Sequence, residues 1–313
     1  MPSHEFLKTT AESMLAQSLV PATKDNYRNA IAKYHLFMNM YYPGRPIFPA
    51  TTEHLTLFIA YCSHKGLSQG SIATYLSAIS FIHKITNLSD PTHHFTIRKQ
   101  LQGYKTQHKS LDSRLPITPT ILLRLITSLD HICDSHYSKT LLKAMFFLAF
   151  NAFLRISEIT RSTMNKHNIQ LQSVTFQLDP LTDKPTHCQI DMQSFKHNNH
   201  QLSTIILQRN NLNTIICPVL ALWTYRQMRG TIPGALFAFP NGTAISRSYF
   251  NSHLQRALLW TGLDTHRYKS HSFRIGAATH KALLGFSDEE IRIMGRWHSN
   301  AFQKYIRIPI LEL

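Results

Sequence analysis

Acidic residues are scarce in this chain. Its 313 residues hold 17 Asp and Glu against 33 Lys and Arg, a formal net charge of +16. Phosphate chemistry run by two bound metal ions needs clustered carboxylates to hold them, and no such Asp/Glu constellation is visible. Cysteine is also sparse. Cys62, Cys133, Cys188 and Cys217 lie far apart and form no C-x-x-C pair; they read as reduced, mostly buried thiols of an intracellular protein. No apolar run is long enough to span a bilayer, and no signal-peptide pattern opens the chain. Histidine is plentiful, at nineteen residues, but His93-His94 and His197 with His200 lack a second pair or a nearby carboxylate, so no metal site is expected. Internal repeats and low-complexity tracts are missing.

Hydrophobic content of 43% is enough for ordinary packed cores, and the length suggests about two domains. The cationic excess, with a pI near 9.8, points to a polyanionic partner, because each phosphate neutralised by Lys or Arg releases counterions. The plain alternative is a basic surface that serves solubility only.

The first hundred residues read as helices alone. A loosely held helix covers Met1 to Leu19. Thr23 can cap a second, with Tyr27, Ile31, Tyr34 and Met38 on one face. Thr52 caps a third, with Leu55, Phe58, Ile59 and Cys62 inward. Ser68 caps a fourth, with Ile72, Tyr75, Leu76, Ile79 and Ile82 inward, and a fifth spans Phe95 to about Gly103. The basic, glycine-interrupted stretch from Lys99 to Arg114 precedes a linker. Thr118-Pro119 starts a new helix, and a second apolar helix runs from Tyr137 to Asn151. Strands are expected at Val174–Leu178, His187–Met192 and Leu202–Leu207, separated by turn residues. Helices follow from Pro218 and from Ser246, the latter with Phe250, Leu254, Ala257, Leu258 and Trp260. Between them Leu236–Phe239 forms a short buried segment.

The last forty-odd residues carry the chemistry, in the wording HSFRIGAATHKALLGFSDEEIRIMGRWHSNAFQKYIR. His271 and Arg274 lie one helical turn apart and point the same way. A Gly-Arg-Trp-His-Ser run follows, then Tyr305. A cationic pair, a polar turn and a tyrosine suit the binding of a phosphate diester and its attack by a phenol oxygen.

This segment resembles the C-terminal half of the tyrosine recombinase (phage-integrase) family, whose signature is an H-x-x-R box, a His or Trp, and a nucleophilic Tyr. Its wording is most similar to the eukaryotic branch of DIRS-type retrotransposons and Cryptons. Gly66-Leu67-Ser68 and Ser71-Ile72-Ala73-Thr74-Tyr75-Leu76 likewise resemble the family's helical core-binding domain. The implied fold is mainly α with a small β-sheet: a helical SAM-like core-binding domain over residues 1–107, a linker at 108–117, and a mixed α+β tyrosine-recombinase catalytic domain over 118–313.

The resemblance also implies roles. Arg155, in FLRISEI, matches the first arginine of the G-L-R-x-S-E-L box, although Phe153 stands where the family has Gly. Its plain alternative is a salt bridge to Glu158, which matches a supporting acidic position. Lys196 matches the β-hairpin lysine that acts as general acid, with Lys184 as runner-up. Arg274 becomes a second phosphate clamp and His271 handles the tyrosine's proton. The family's His/Trp position falls nine before the tyrosine, which is Arg296 here; Trp297, after a one-residue contraction, and His298 both compete for it. Tyr305 becomes the nucleophile.

The expected function is therefore site-specific DNA recombination or integration through a 3′-phosphotyrosyl intermediate, without cofactor or metal. The implied substrate is double-stranded DNA bound by a homotetramer, with no membrane and no small-molecule substrate, in the nucleus if the source is eukaryotic. Two alternatives stay open: a domesticated DNA-binding protein lacking strand transfer, and a type IB topoisomerase-like activity.

Overall fold

The computed structural model describes residues 1–108, 112–161, 168–192 and 203–307. The chain divides into two compact units, Met1–Leu111 and Asp112–Leu313. Among the described residues the first unit is helical throughout: α1 His4–Gln17, α2 Pro21–Tyr41, α3 Thr52–His64, α4 Gln69–Ile85 and α5 Phe95–Gln107, with a short 3₁₀ turn at Pro91–His93. Tyr34, Phe37, Met38, Leu55, Phe58 and Ile59 form the centre of its core. Helix α1 keeps Phe6, Leu7, Met14 and Leu15 exposed.

Local chemistry explains most of these boundaries. Ser68 Oγ accepts from Ser71 N–H at 3.2 Å and so caps α4. Helix α2, however, begins at Pro21 behind Val20 rather than at Thr23, because proline is preorganised for the first helical position. Thr51, not Thr52, caps α3, accepting from His54 N–H at 3.1 Å. Tyr75 and Ile82 are half-buried, and Ala78, Ser80 and His83 fill the inner face of α4 instead. His83 is fully buried because both ring nitrogens are satisfied. Nε2 accepts from Ala50 N–H at 3.1 Å and Nδ1–H donates to the Ser89 carbonyl at 2.6 Å. Helix α5 continues past Gly103 because Tyr104 is buried and its hydroxyl donates to Leu67 O at 2.6 Å.

The second unit holds α6 Pro119–Ile132, α7 His136–Asn151, α8 Ile156–Ile159, β1 Val174–Leu178, β2 Pro185–Met192, β3 Ser203–Gln208, α9 Pro218–Arg229, α10 Arg247–Trp260, α11 His271–Leu283 and α12 Asp288–Met294, and a 3₁₀ turn at Asn300–Tyr305. Helix α7 is apolar nearly all round, from Thr140 to Phe150, and is buried accordingly. It packs against α6, α9 and α11. The sheet is antiparallel in the order β1-β2-β3, with Val174 opposite Ile190 and Ile190 opposite Ile205. Cys188, Ile190 and Met192 alternate into the core from β2, as the two-residue period of a strand requires. Trp260 is not inward: it is half exposed at the end of α10 and stacks on His131 with ring centroids 4.6 Å apart. The fold is thus mainly α with a small sheet: a helical first unit and a mixed α+β second unit.

Two contacts place α11. Leu115 N–H donates to Arg267 O at 2.8 Å and Ile117 N–H to Ser272 O at 3.0 Å. Gly276 lets this segment lie directly on the helix, since a Cβ there would sit 1.9 Å from the Ile117 carbonyl oxygen.

Candidate active site

The site is assembled from three pieces of the second unit: the turn into α8, the N-terminal turn of α11, and the chain from the end of α12 to Tyr305. Arg155 precedes α8. Its backbone N–H donates to Glu158 Oε2 at 2.8 Å and its Nη1 to Oε1 at 3.0 Å. The salt bridge and the helix cap are therefore one motif, and they aim the guanidinium. Glu158 is 1% exposed and also takes Arg296 Nη2 at 3.2 Å.

Phe153 has φ of +51°, in the left-handed region that favours glycine. The motif this stretch resembles has Gly at this place; Phe153 takes a glycine-like conformation, and its ring packs edge-on to Trp297 at 6.0 Å. The conformation matters because the Phe153 carbonyl accepts from Arg274 Nη1. Arg274 Nη2 donates to Gly295 O. Arg274 is fully buried, its guanidinium 4.0 Å from the centre of the Trp297 ring. Each Nη keeps a second hydrogen, and Nε has no partner among the described residues. Burial, then Arg155, pushes Arg274 down to about 9, so it remains charged at neutral pH. Such uncommitted N–H groups in a buried cation are what an anionic oxygen needs.

The approach to Tyr305 depends on the turn after α12. Arg296 adopts φ of +54° and anchors inward to Ala152 O at 3.2 Å as well as to Glu158. Gly295 allows the Trp297 ring to fold back over it: a Cβ at 295 would lie 1.5 Å from that ring. Trp297 is buried and His298 is exposed. Of these two competitors it is Trp297 that meets Tyr305, at 5.1 Å between ring centroids. Tyr305, half-buried, also lies 4.9 Å from the His271 ring and 5.8 Å from the Arg274 guanidinium. Thr279 Oγ1 donates to the Tyr305 carbonyl at 3.1 Å.

His271 opens onto a cleft of ≈ 430 Å³ that Arg114, Arg247 and Lys269 also line, with Asn251 and Gln255 from α10. Burial, then Arg114 and Arg274, pushes the His271 imidazole down to about 4, so it is neutral at physiological pH and can accept a hydrogen bond from a phenol. Between pH ~4 and the unfolded value of ~6.5 the folded chain binds fewer protons than the unfolded chain. Stability should therefore fall as pH drops through that window. Urea melts at a series of pH values should show the slope, and His271→Asn should flatten it; an unchanged slope would remove His271 as its source.

Among the expected site residues, Arg155, Glu158, His271, Arg274, Trp297 and Tyr305 come together. Lys184 sits in the exposed β1–β2 turn, where its carbonyl accepts from Asp179 N–H at 2.9 Å. Lys196 lies outside the described residues. Arg296, Arg114, Thr279 and Arg307 join the site although sequence reasoning assigned them no role. The sequence signal for these contacts is the pair Gly276 and Gly295, which permit close approach without naming the partner.

Residues 12–85 match the phage integrase N-terminal SAM-like domain. The sequence finds no match among curated proteins. Similar solved structures include the XerH site-specific recombinase bound to palindromic difH substrate in a post-cleavage complex (16% identity, 91% of this chain and 76% of that one, TM-score 0.64). The Tn1549 transposon integrase in complex with transposon right-end DNA is similar at 15% identity (95% and 93%, TM-score 0.62). A lambda integrase tetramer bound to a Holliday junction is similar at 13% (95% and 78%, TM-score 0.63). At these identities the likeness is one of fold: this chain has the fold of the tyrosine recombinases.

Proposed function

We propose that this protein is a site-specific DNA recombinase that cuts and rejoins double-stranded DNA through Tyr305. One observation carries the reading: the Tyr305 ring stands 4.9 Å from His271, 5.1 Å from Trp297 and 5.8 Å from Arg274. A phenol oxygen is a weak nucleophile unless cations and a base surround it.

In this mechanism Arg155 and Arg274 hold the non-bridging oxygens of the scissile phosphate, and the Trp297 indole N–H donates to one of them. The Tyr305 hydroxyl gives its proton to neutral His271 and attacks phosphorus. The bond to the 5′-oxygen breaks, leaving a 3′-phosphotyrosyl link and a 5′-hydroxyl. Lys196 protonates that leaving oxygen. A 5′-hydroxyl from a partner strand then reverses the step. Bond energy is conserved throughout, so no nucleotide cofactor enters the scheme, and Arg155 and Arg274 supply the positive charge on the phosphate that a metal ion would otherwise supply. Residues 1–107 grip DNA, 108–117 link, and 118–313 catalyse. Four protomers act on two duplexes, as lambda integrase forms a tetramer on a Holliday junction. The wording of the last forty residues supports a role in mobile-element integration, in the nucleus of a eukaryotic host. Among the described residues no helix is long and apolar enough to cross a membrane.

The test is covalent trapping on nicked suicide duplexes taken from the DNA flanking the gene. An adduct that survives denaturing electrophoresis and EDTA, and vanishes in Tyr305→Phe, is expected. Adducts persisting in Tyr305→Phe would overturn the nucleophile assignment. Salt-dependent binding without adduct would favour a DNA-binding protein lacking strand transfer.

The basic cleft supplies a second measurement. Lys269→Ala should weaken DNA binding evenly across sequences and reduce the slope of log K against log salt by about 1, as loss of one phosphate contact does. A sequence-dependent loss with an unchanged slope would contradict a backbone role for Lys269.

A further inference from the structure

The chain just past Tyr305 is tied down by a polar latch. Arg307 N–H donates to Thr279 Oγ1 at 3.0 Å, the same hydroxyl that donates to the Tyr305 carbonyl. The Arg307 side chain reaches the other way. Its Nη1 donates to the Asp112 carbonyl at 2.8 Å and to the Arg114 carbonyl, and its Nη2 meets Asp112 Oδ2. Asp112 in turn grips Arg114 through both oxygens, with Nε at 2.7 Å and Nη2 at 2.9 Å. These bonds hold the Asp112 carboxyl well below the usual carboxylate range, the Arg114 bond being the largest cause. Arg114 lines the cleft with His271.

We infer that Arg307 and Asp112 are positioning residues that hold Tyr305 against His271. The inference rests on the recombinase reading above and deepens it. The geometry is specific to this task. The Asn300–Tyr305 turn is short and 3₁₀, so it has little internal rigidity of its own. Within it, Ser299 caps Ala301 N–H only at 3.4 Å, and Phe302 is the one buried residue. Tyr305 itself is half-buried and its rings of contact are all edge or tilted. What fixes its backbone comes from outside the turn: Thr279 on α11 and, through Arg307, the segment Asp112–Arg114. That segment is itself hydrogen-bonded to the loop before α11 through Leu115. The loop closes from Tyr305 through Arg307, Asp112 and Arg114 back to the cleft beside His271. Arg307 donates to three acceptors on one segment, a planar fork that lysine cannot reproduce. Removing it frees the nucleophile while leaving Arg155, Arg274 and Trp297, which hold the scissile phosphate in this mechanism, without a lost partner.

That separation makes a decisive experiment. Hydrogen peroxide is a small nucleophile whose anion can attack the same phosphorus and expel the same 5′-hydroxyl, so in Tyr305→Phe it reports phosphate activation without the tyrosine. Wild type and Arg307→Ala are compared for tyrosyl adduct on suicide duplexes. Tyr305→Phe and the Tyr305→Phe/Arg307→Ala double variant are compared for peroxide-driven cleavage. Arg307→Ala should lower the adduct rate by about 100-fold, the effect of an ångström-scale misplacement, with peroxide cleavage undiminished. Arg307→Lys should recover only part of the loss. Equal loss in both assays would mean general damage to the site and would overturn the positioning role; so would an adduct rate that stays level or rises. A DNA-free measurement tests the latch by itself. Asp112→Asn should raise amide hydrogen exchange at Ile306 and Arg307 in the full chain, and unchanged exchange there would remove the latch. Should wild type give no adduct and Tyr305→Phe no peroxide cleavage, the recombinase reading fails, and the exchange result still decides whether the latch exists.

Discussion

Arg274→Ala is expected to lower covalent adduct formation by about 10²–10³-fold, the range found when one preorganised donor to a developing charge is removed. DNA binding should change far less, because Arg114, Arg247 and Lys269 in the cleft remain. The side chain also has a structural duty. It bridges the Phe153 and Gly295 carbonyls and lies under the Trp297 ring. Its removal leaves two buried acceptors unsatisfied, at about 1–3 kcal/mol each. Arg274→Lys keeps the charge but cannot reach both carbonyls in one plane, so it should recover only part of the lost rate. Single-turnover trapping and thermal melts separate the two effects. An Arg274→Ala adduct rate within tenfold of wild type would rule out the phosphate clamp.

The second large effect lies away from the chemistry. A Cβ at Gly276 would stand 1.9 Å from the Ile117 carbonyl oxygen. That oxygen belongs to the backbone and cannot rotate away, so Gly276→Ala must push α11 off the 115–117 segment. Overpacking of this kind costs about 1–3 kcal/mol, or several degrees in Tm for a unit of this size at about 2–4 °C per kcal/mol. The same helix carries His271, Arg274 and Thr279. Its displacement should therefore reduce the adduct rate even at temperatures where the protein stays folded. Gly103→Ala is the matched control: that helical glycine has nothing within 4 Å of its Cβ position, and the change should stabilise by about 0.4–1 kcal/mol. Equal behaviour of the two variants would refute the packing argument.

The sequence by itself determined the features set by a few neighbouring residues. Ser68, Thr118 and Ser246 each cap the helix they precede, because a side-chain oxygen needs only an N–H three residues on. The first strand follows from local alternation, and the shared face of His271 and Arg274 from the helical period. The motif wording made Arg155, Glu158 and Tyr305 candidates. What only the tertiary structure decided depends on partners far apart in the chain. Arg296 meets Glu158 across 138 positions and Arg307 meets Asp112 across 195. No window of sequence contains both ends of such a pair. That Trp297, rather than His298, packs beside Tyr305 turns on a left-handed residue at 296 and a glycine at 295 that admits the indole. Phe153 shows the same logic: its departure from glycine looked like a weakened motif, yet its positive φ keeps the carbonyl aimed at Arg274. Local hydrogen bonding and periodicity write themselves into neighbouring residues; a site closed by buried ion pairs and backbone carbonyls takes shape only when the core brings distant segments together.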